Sequence, residues 1–178
     1  MPRFVALLRG INVGKAKRIP MAELREMLTS LGYTGVRTLL NSGNVVFESP
    51  GRLTTSHAKR IRTGITDAFK LDVPVIVKSA EEMAVIESGN GLAGIVTNPS
   101  RLLVAFTGDS GALRDLAALS PLVKPPERML LGKEALYLWL PEGILESQAA
   151  EALLGKLGKG VTTRNWATVV KIMELLQD

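Results

Sequence analysis

The chain has 178 residues, of which 46% are hydrophobic, and it carries 22 Lys+Arg against 17 Asp+Glu with no cysteine. The apolar content is sufficient to bury a core and excludes a globally disordered chain, while the lack of cysteine excludes disulfides, thiol catalysis and cysteine-ligated metal sites. No apolar run approaches the roughly 20 residues of a membrane-spanning helix, and residues 1–4 show no signal-peptide layout. We therefore expect a soluble, cytoplasmic protein.

The positive charge is concentrated in the first half of the chain. Residues 1–78 carry 13 Lys/Arg and 5 Asp/Glu, whereas residues 79–178 carry 9 and 12. Basic residues cluster twice, at Arg9, Lys15, Lys17 and Arg18, and again at Lys59, Arg60 and Arg62. A basic patch attracts phosphate, nucleic acid or anionic metabolites, although a solvated surface explains the first cluster equally well and a solvated helix face is the preferred explanation of the second.

The first half predicts elements in the order βαββαβ, followed by one further helix. Apolar residues at helical spacing follow Pro20 and end at Gly32, and residues 41–44 have the composition of a hairpin turn. Ser79 and Glu82 form a capping box that opens the extra helix. The predicted strands are 4–8, 36–40, 45–47 and 72–77, and the predicted helices are 20–32, 54–69 and 79–87.

The second half repeats this order after a linker rich in Gly, Asn and Pro. Its predicted strands are 102–106, 129–131, 135–140 and 161–164, and its predicted helices are 112–119, 148–157 and 165–176. We therefore predict an α+β protein with two ferredoxin-like βαββαβ units in tandem, each followed by an extra helix. The predicted organisation is a first subdomain at 1–88, a linker at 89–100 and a second subdomain at 101–178.

The first polar motif is the glycine-containing basic stretch at 8–15, which follows the first strand. Its glycines let the backbone approach a ligand, and Arg9, Asn12 and Lys15 are candidate binding residues. Three residues rather than four separate Gly10 and Gly14, so the P-loop pattern is not met, and the dinucleotide-binding glycine spacing is also missing. The alternative interpretation is a connecting loop whose glycines serve only its conformation.

The second polar motif is the predicted hairpin turn at 41–44, which a turn alone explains because Asn and Gly tolerate positive φ. In a ferredoxin-like order, however, the end of the first strand lies near the start of the third, which brings Asn44 towards the first motif.

The third polar motif, at 162–166, enters the last helix. Thr163 or Asn165 is a candidate N-cap, and Arg164 beside a helix N-terminus is suited to hold a carboxylate or phosphate. A cap followed by a core Trp166 is the alternative, and it leaves Arg164 unexplained.

We predict that the three motifs converge on one shared ligand site. Its expected residues are Arg9, Asn12, Lys15, Asn44, Arg164 and Asn165. The sequence identifies no catalytic residues, cofactor or metal ligands, since the single histidine, His57, is expected at the surface near a helix start and no His/Asp/Glu cluster has metal-ligand spacing.

The motifs at 7–15, 21–25, 41–47 and 162–166 resemble the bacterial family called domain of unknown function 1697. The resemblance implies a duplicated α+β fold and a cytosolic location, and it brings no activity or catalytic residues with it. Members of that family often carry an Asn-Pro-Phe stretch in the mid-chain linker, whereas this chain has Asn90, Gly91 and Leu92.

Three function classes stay open at this point. The first is binding of a phosphorylated or anionic small molecule at the basic, glycine-containing stretch 8–15. Whether the protein also catalyses a reaction of such a molecule stays open. The second is nucleic-acid binding by the basic N-terminal half, although residues 44–48 lack the aromatic pattern of RNA-recognition strands. The third is a structural or partner-binding protein without a ligand site.

Overall fold

Two four-stranded antiparallel sheets and six α-helices form a mixed α+β structure, which a computed structural model describes for all 178 residues. The chain divides into two compact units, the first made of Met1–Glu81 with Ile172–Asp178 and the second of Glu82–Lys171. None of the helices combines the length and apolar character that crossing a bilayer requires.

The first unit contains four strands in the sheet order β2-β3-β1-β4. Its elements are β1 (Arg3–Leu8), α1 (Met21–Ser30), β2 (Thr34–Leu39), β3 (Asn44–Glu48), α2 (Thr54–Phe69) and β4 (Val75–Ser79). The fourth strand starts three residues later than predicted, since Pro74 lacks the N–H that a ladder needs. The N-cap of α2 is Leu53, which makes no side-chain cap bond, so none of the hydroxyl residues at 54–56, which suit a cap by composition, takes that position.

The second unit has the sheet order β6-β7-β5-β8. Its elements are most of α3 (Ala80–Ser88), then β5 (Leu102–Thr107), α4 (Ser110–Asp115), β6 (Arg128–Leu131), β7 (Leu136–Trp139), α5 (Gln148–Leu154), β8 (Val161–Asn165) and the start of α6 (Trp166–Gln177). A 3₁₀ turn at Leu116–Leu122, which contains Pro121, replaces the end of the predicted fourth helix. Helix α5 ends at Leu154 rather than 157 because Gly155 leaves the helical conformation.

Both faces of the first sheet are buried. One face packs against α1 and α2 in a cluster that includes Phe4, Phe47 and Ile61. On the other face, Val5 and Val46 are cross-strand neighbours and are 0% and 2% exposed. A sheet that is apolar on both sides needs cover on both sides.

The end of α6 belongs to this first unit, although α6 follows the last strand of the second. Arg3 donates a hydrogen bond to the carbonyl of Leu176 (3.0 Å), and Arg37 donates to the carbonyl of Leu175. These carbonyls lie in the last turn of the helix, where they have no partner within it and where cations complement the helix dipole.

Helix α3 shows the reverse arrangement, since it follows β4 but lies almost wholly in the second unit. There the Tyr137 hydroxyl donates to the carbonyl of Ile86 (2.6 Å), and Tyr137 is buried. The first unit therefore includes the end of α6, which comes last in the chain. The second unit includes most of α3, which comes before its first strand.

Deleting residues 172–178 tests this exchange. We expect the truncated chain to lose several kcal/mol of unfolding free energy, because burial of side chains such as Ile172 and Leu176 contributes about 1.5–3 kcal/mol each. Urea denaturation measures the change. Removing Asp178 alone is the control, since its exposed ion pair with Arg37 contributes about 0–1 kcal/mol. An unchanged midpoint in the longer deletion would contradict the assigned role of the segment.

Candidate functional site

The loop after β1, residues 9–18, is called the basic loop here. Its backbone turns on left-handed conformations at Gly10, Asn12, Gly14 and Lys17, with φ between 50° and 72°. The Asn12 N–H donates to the Lys17 carbonyl (3.0 Å), which closes the loop at its base. A further bridge joins Val13 and Ala16 at the tip. The loop is therefore a folded turn with its own hydrogen bonds.

The side chain of Asn12 fixes the loop to the rest of the unit. Its Oδ1 accepts from the Ile19 N–H (2.8 Å), and its Nδ2 donates to the carbonyls of Ile19 and Asn41, both at 2.9 Å. Both polar atoms of this predicted ligand-binding residue thus have partners within the protein. Asn12 positions the loop and ties it to the hairpin turn.

The hairpin turn at 41–44 lies against the end of β1, because β3 is the antiparallel neighbour of β1 in the sheet. Leu7 pairs with Asn44 in the ladder, and the Leu8 N–H donates to the Gly43 carbonyl (2.9 Å). Asn44 is buried, and its Nδ2 donates to the Leu39 carbonyl (2.8 Å) and to Ser42 Oγ (3.0 Å). A Cβ at position 43 would lie 2.8 Å from Leu8 Cβ, so glycine is required for this approach.

Cations occupy the surface of the basic loop. Lys15 is exposed and makes no hydrogen bond or ion pair, and Arg9 is partly buried at the loop entrance. Arg18 folds back so that its Nη1 donates to the carbonyls of Asn12 (3.4 Å) and Gly14 (3.2 Å). The first acidic residue of the chain is Glu23, so no carboxylate within the loop offsets its charge.

The loop contacts one neighbouring carboxylate residue, Asp72. Lys17 donates to the Asp72 backbone carbonyl (3.2 Å), while Arg62 of α2 holds the carboxylate with two hydrogen bonds of 2.7 and 2.8 Å. The hydrogen bond from Arg62, helped by the charges of Arg62 and Lys17, holds the pKa of Asp72 below its usual value. The carboxylate is already neutralised by Arg62, so the cations of the loop dominate this surface.

In the second unit, Arg164 and Asn165 are neighbours at the end of β8. Arg164 is 7% exposed, and its Nη1 donates to Thr162 Oγ1 and to the Thr163 carbonyl, both at 2.8 Å. Burial lowers the pKa of Arg164 to about 10, so the guanidinium is charged at neutral pH. Asn165 Oδ1 accepts from the Thr168 N–H (2.9 Å), which confirms the predicted N-cap at this position.

The structure thus groups the predicted site residues in two sets. Arg9, Asn12, Lys15 and Asn44 lie on one hydrogen-bonded piece of the first unit, and Arg164 and Asn165 lie side by side in the second. That the two sets share one site stays a prediction. No three His, Asp or Glu side chains lie close enough together to hold a metal ion.

The expected surface position of His57 is wrong. Its ring is 6% exposed, with Nδ1 2.9 Å from the Tyr33 hydroxyl and Nε2 2.9 Å from the Gly51 carbonyl. Because α2 begins at Thr54, His57 falls on the inward stripe with Ile61, four residues further on. The four-residue spacing of His57 and Ile61 is the sequence signal that indicates burial of His57.

The stretch predicted as a linker, residues 89–100, contains a buried polar atom without a hydrogen-bond partner. Asn90 Oδ1 accepts from the Leu92 N–H (3.1 Å), but Nδ2 is buried without a hydrogen-bond partner. A Cβ at Gly91 would lie 2.9 Å from Leu130, so this tripeptide is packed tightly. This is the stretch that departs from the Asn-Pro-Phe pattern.

The family described as "Protein of unknown function (DUF1697)" matches residues 1–137, and the chain belongs to that family. This agrees with the resemblance of the motifs at 7–15, 21–25 and 41–47, which lie within the matched range. Among solved structures, the chain is similar to the conserved bacterial protein SP0830 from Streptococcus pneumoniae, with 27% identity, 98% coverage of each chain and a TM-score of 0.80. No curated protein is significantly similar to this chain.

Replacing Asn12 tests its role in the loop. We expect Asn12→Ala to lower the unfolding free energy by about 2–3 kcal/mol, since three hydrogen bonds disappear and alanine disfavours the left-handed φ of 56°. Asn12→Gly keeps the backbone conformation and should cost less. Val13→Ala, at an exposed position, is the control. Equal effects of all three substitutions in urea denaturation would contradict the assignment.

Removing the Tyr33 hydroxyl tests the His57 contact. We expect Tyr33→Phe to destabilise the protein by about 1–2 kcal/mol, because the buried ring nitrogen of His57 loses its partner. Thermal or urea denaturation measures the loss, and Thr55→Ala on the exposed side of α2 serves as the reference. A Tyr33→Phe variant as stable as the parent protein would show that this hydrogen bond contributes nothing.

Proposed function

We propose that the basic loop binds an anionic or phosphorylated ligand. The observation that carries this proposal is the combination of a fixed loop shape, held by Asn12, with exposed cations at Lys15, Lys17 and Arg18. A site that is already ordered loses little conformational freedom when a ligand binds. Exposed cations without nearby free carboxylates attract anions over several ångströms.

The backbone of the loop supports the same proposal. Asn12 and Lys17 are non-glycine residues in the left-handed region, with φ of 56° and 50°. Such conformations persist only where the surroundings enforce them, and they cluster at ligand sites and switch regions. Two of the four non-glycine residues with positive φ lie in this one exposed loop, and the other two are Leu40 and Lys70.

The donors of the loop fit phosphate or carboxylate oxygens. Arg18 uses Nη1 for the two loop carbonyls, and its Nη2 and Nε make no hydrogen bond within the protein. Those groups form one edge of the planar guanidinium, which suits two oxygens of one anion. Lys15 adds a mobile point charge.

A nucleic acid is the second candidate ligand, and one contact favours it. Lys17 donates to the backbone carbonyl of Asp72, and Arg62 of α2 pairs with its carboxylate, so the loop lies directly beside α2. An extended polyanion would contact both. Base stacking on the sheet, as in RNA-recognition modules, does not fit this candidate because Val5 and Val46 are buried on the face away from α1 and α2.

We further propose that the two halves are ferredoxin-like βαββαβ repeats that arose by duplication, each followed by an extra helix. The support is that the sheets have equivalent strand orders, β2-β3-β1-β4 and β6-β7-β5-β8, with every neighbouring pair antiparallel. A bacterial origin and a cytoplasmic location are part of the proposal and rest on the family resemblance.

The test compares two anions and two variants. Lys15→Gln/Arg18→Gln removes two loop cations, and Lys133→Gln/Lys156→Gln removes two exposed cations of the second unit. The probes are pyrophosphate and a labelled single-stranded oligonucleotide. We expect the loop variant alone to bind at least one probe about tenfold more weakly, as loss of charge-assisted hydrogen bonds predicts.

The salt dependence separates the two candidate ligands. If the oligonucleotide is bound, the slope of log affinity against log salt should fall by about 1.4 in the loop variant, or about 0.7 for each lost phosphate contact. If only pyrophosphate responds to the loop substitutions, the ligand is a small anion. Equal losses in both variants, or no binding of either probe, would reject the loop as a ligand site and favour a structural or partner-binding protein.

A further inference from the structure

A groove between α1 and α2 lies apart from the residues of the basic loop. It is an open groove of about 370 Å³, lined by residues on one side of α2 and by Leu31 at the C-terminal end of α1. The lining side chains used below are Leu31, Ser56, Lys59, Arg60, Thr63 and Asp67. The lining residues that belong to α2 recur every three or four positions, so they lie in a single stripe along the helix.

Gly64 brings the two helices together at the floor of this groove. A Cβ there would lie 2.8 Å from Met27 Sδ and 3.0 Å from Leu31 Cδ1. Glycine inside a helix is about 1 kcal/mol less favourable than alanine, so the close approach of the helices explains its use. The side chain of Leu31 consequently lies directly against the glycine and forms an apolar wall.

Arg60 is held in place at the rim of the groove. Its guanidinium lies 5.1 Å from the centre of the Tyr33 ring and donates to the Leu31 carbonyl, just beyond the end of α1. Tyr33 is 2% exposed, and its hydroxyl is fixed by His57. Stacking on an aromatic ring orients a guanidinium without using its five N–H donors, so the donors that the Leu31 carbonyl and Tyr33 do not engage can bind a ligand.

The charge changes sign along the groove, from cations at one end to a carboxylate at the other. Lys59 and Arg60 lie side by side, with the hydroxyls of Ser56 and Thr63 one turn away on each side. Asp67 is seven residues beyond Arg60, or about 10 Å along the helix. An anionic group is therefore favoured near Arg60 and disfavoured near Asp67.

We propose that this groove is a second binding site, specific for an organic anion with a single phosphate or carboxylate joined to an apolar body. Arg60 and Lys59 bind the anionic group, Ser56 or Thr63 donates a further hydrogen bond, and the apolar body lies on Leu31. The proposal is independent of the function proposed for the basic loop, since the two sites share no residue.

His57 provides a reporter for this site. It is the only histidine of the chain, and it hydrogen bonds to the tyrosine on which Arg60 stacks. Its ring protons therefore give a single assignable pair of NMR resonances close to the groove. We expect phenyl phosphate, added to the full chain at constant pH, to shift these resonances in a saturable way.

Three variants locate the binding. We expect Arg60→Gln to weaken phenyl phosphate binding about tenfold, because the oriented guanidinium is lost. Lys59→Gln, which leaves Arg60 and its contacts intact, should weaken it several-fold. The Lys15→Gln/Arg18→Gln variant of the basic loop should bind phenyl phosphate in the groove as the parent protein does, so failure of either site is distinguishable from failure of the other.

Inorganic phosphate tests the apolar part of the proposal. It should bind more weakly than phenyl phosphate, because it makes no contact with Leu31. The proposal is overturned if phenyl phosphate gives no saturable shift, if Arg60→Gln and Lys59→Gln both bind it as the parent does, if the loop variant abolishes the shift, or if inorganic phosphate binds equally well.

Discussion

Burial on both faces of each sheet is the constraint on which the rest of the structure depends. In the first unit, Phe4 packs towards α1 and α2 while its neighbour Val5 is buried on the opposite side. In the second unit, Ala105 belongs to the core beside α4 and α5, and Val104 is buried on the other face. Each sheet therefore needs two covers, and helices that follow its strands directly provide only one of them.

This constraint also decides where a ligand can bind. Because the sheet faces are occupied, polar chemistry is confined to the ends of the strands and to the outer helices. The basic loop after β1 is accessible to a ligand, because its cations face solvent while Asn12 anchors its base to the hairpin turn. The α1–α2 groove belongs to the outer helix layer and depends on a different device, a glycine that lets two helices approach closely.

Features with local signals were predictable from the sequence. The hairpin at 41–44, the end of α1 shortly before Gly32 and the cap at Asn165 follow from turn and capping preferences of a few residues, and the structure has them. The approach of Asn44 to the end of β1 follows from strand order. These features depend on a few neighbouring residues or on the order of the strands, so they can be predicted from one sequence.

Features that depend on distant residues were not predictable in the same way. The spacing to Ile61 indicates that His57 faces inward, but its hydrogen-bond partner, the hydroxyl of Tyr33, lies 24 residues away in sequence. The roles of Arg3 and Arg37 depend on carbonyls at the opposite end of the chain. No local pattern announces such pairs, because each partner is unremarkable in its own segment.

The membership of residues 172–178 in the first unit has a consequence for biosynthesis. The ribosome adds about 5–20 residues per second, so synthesis of the 90 residues from Glu82 to Lys171 separates residues 1–81 from residues 172–178 of the same unit by on the order of ten seconds. Throughout that interval the first unit lacks this part of its native structure, including the carbonyls of Leu175 and Leu176 to which Arg37 and Arg3 donate. Incompletely folded chains expose apolar surface, which is the condition under which chaperones act.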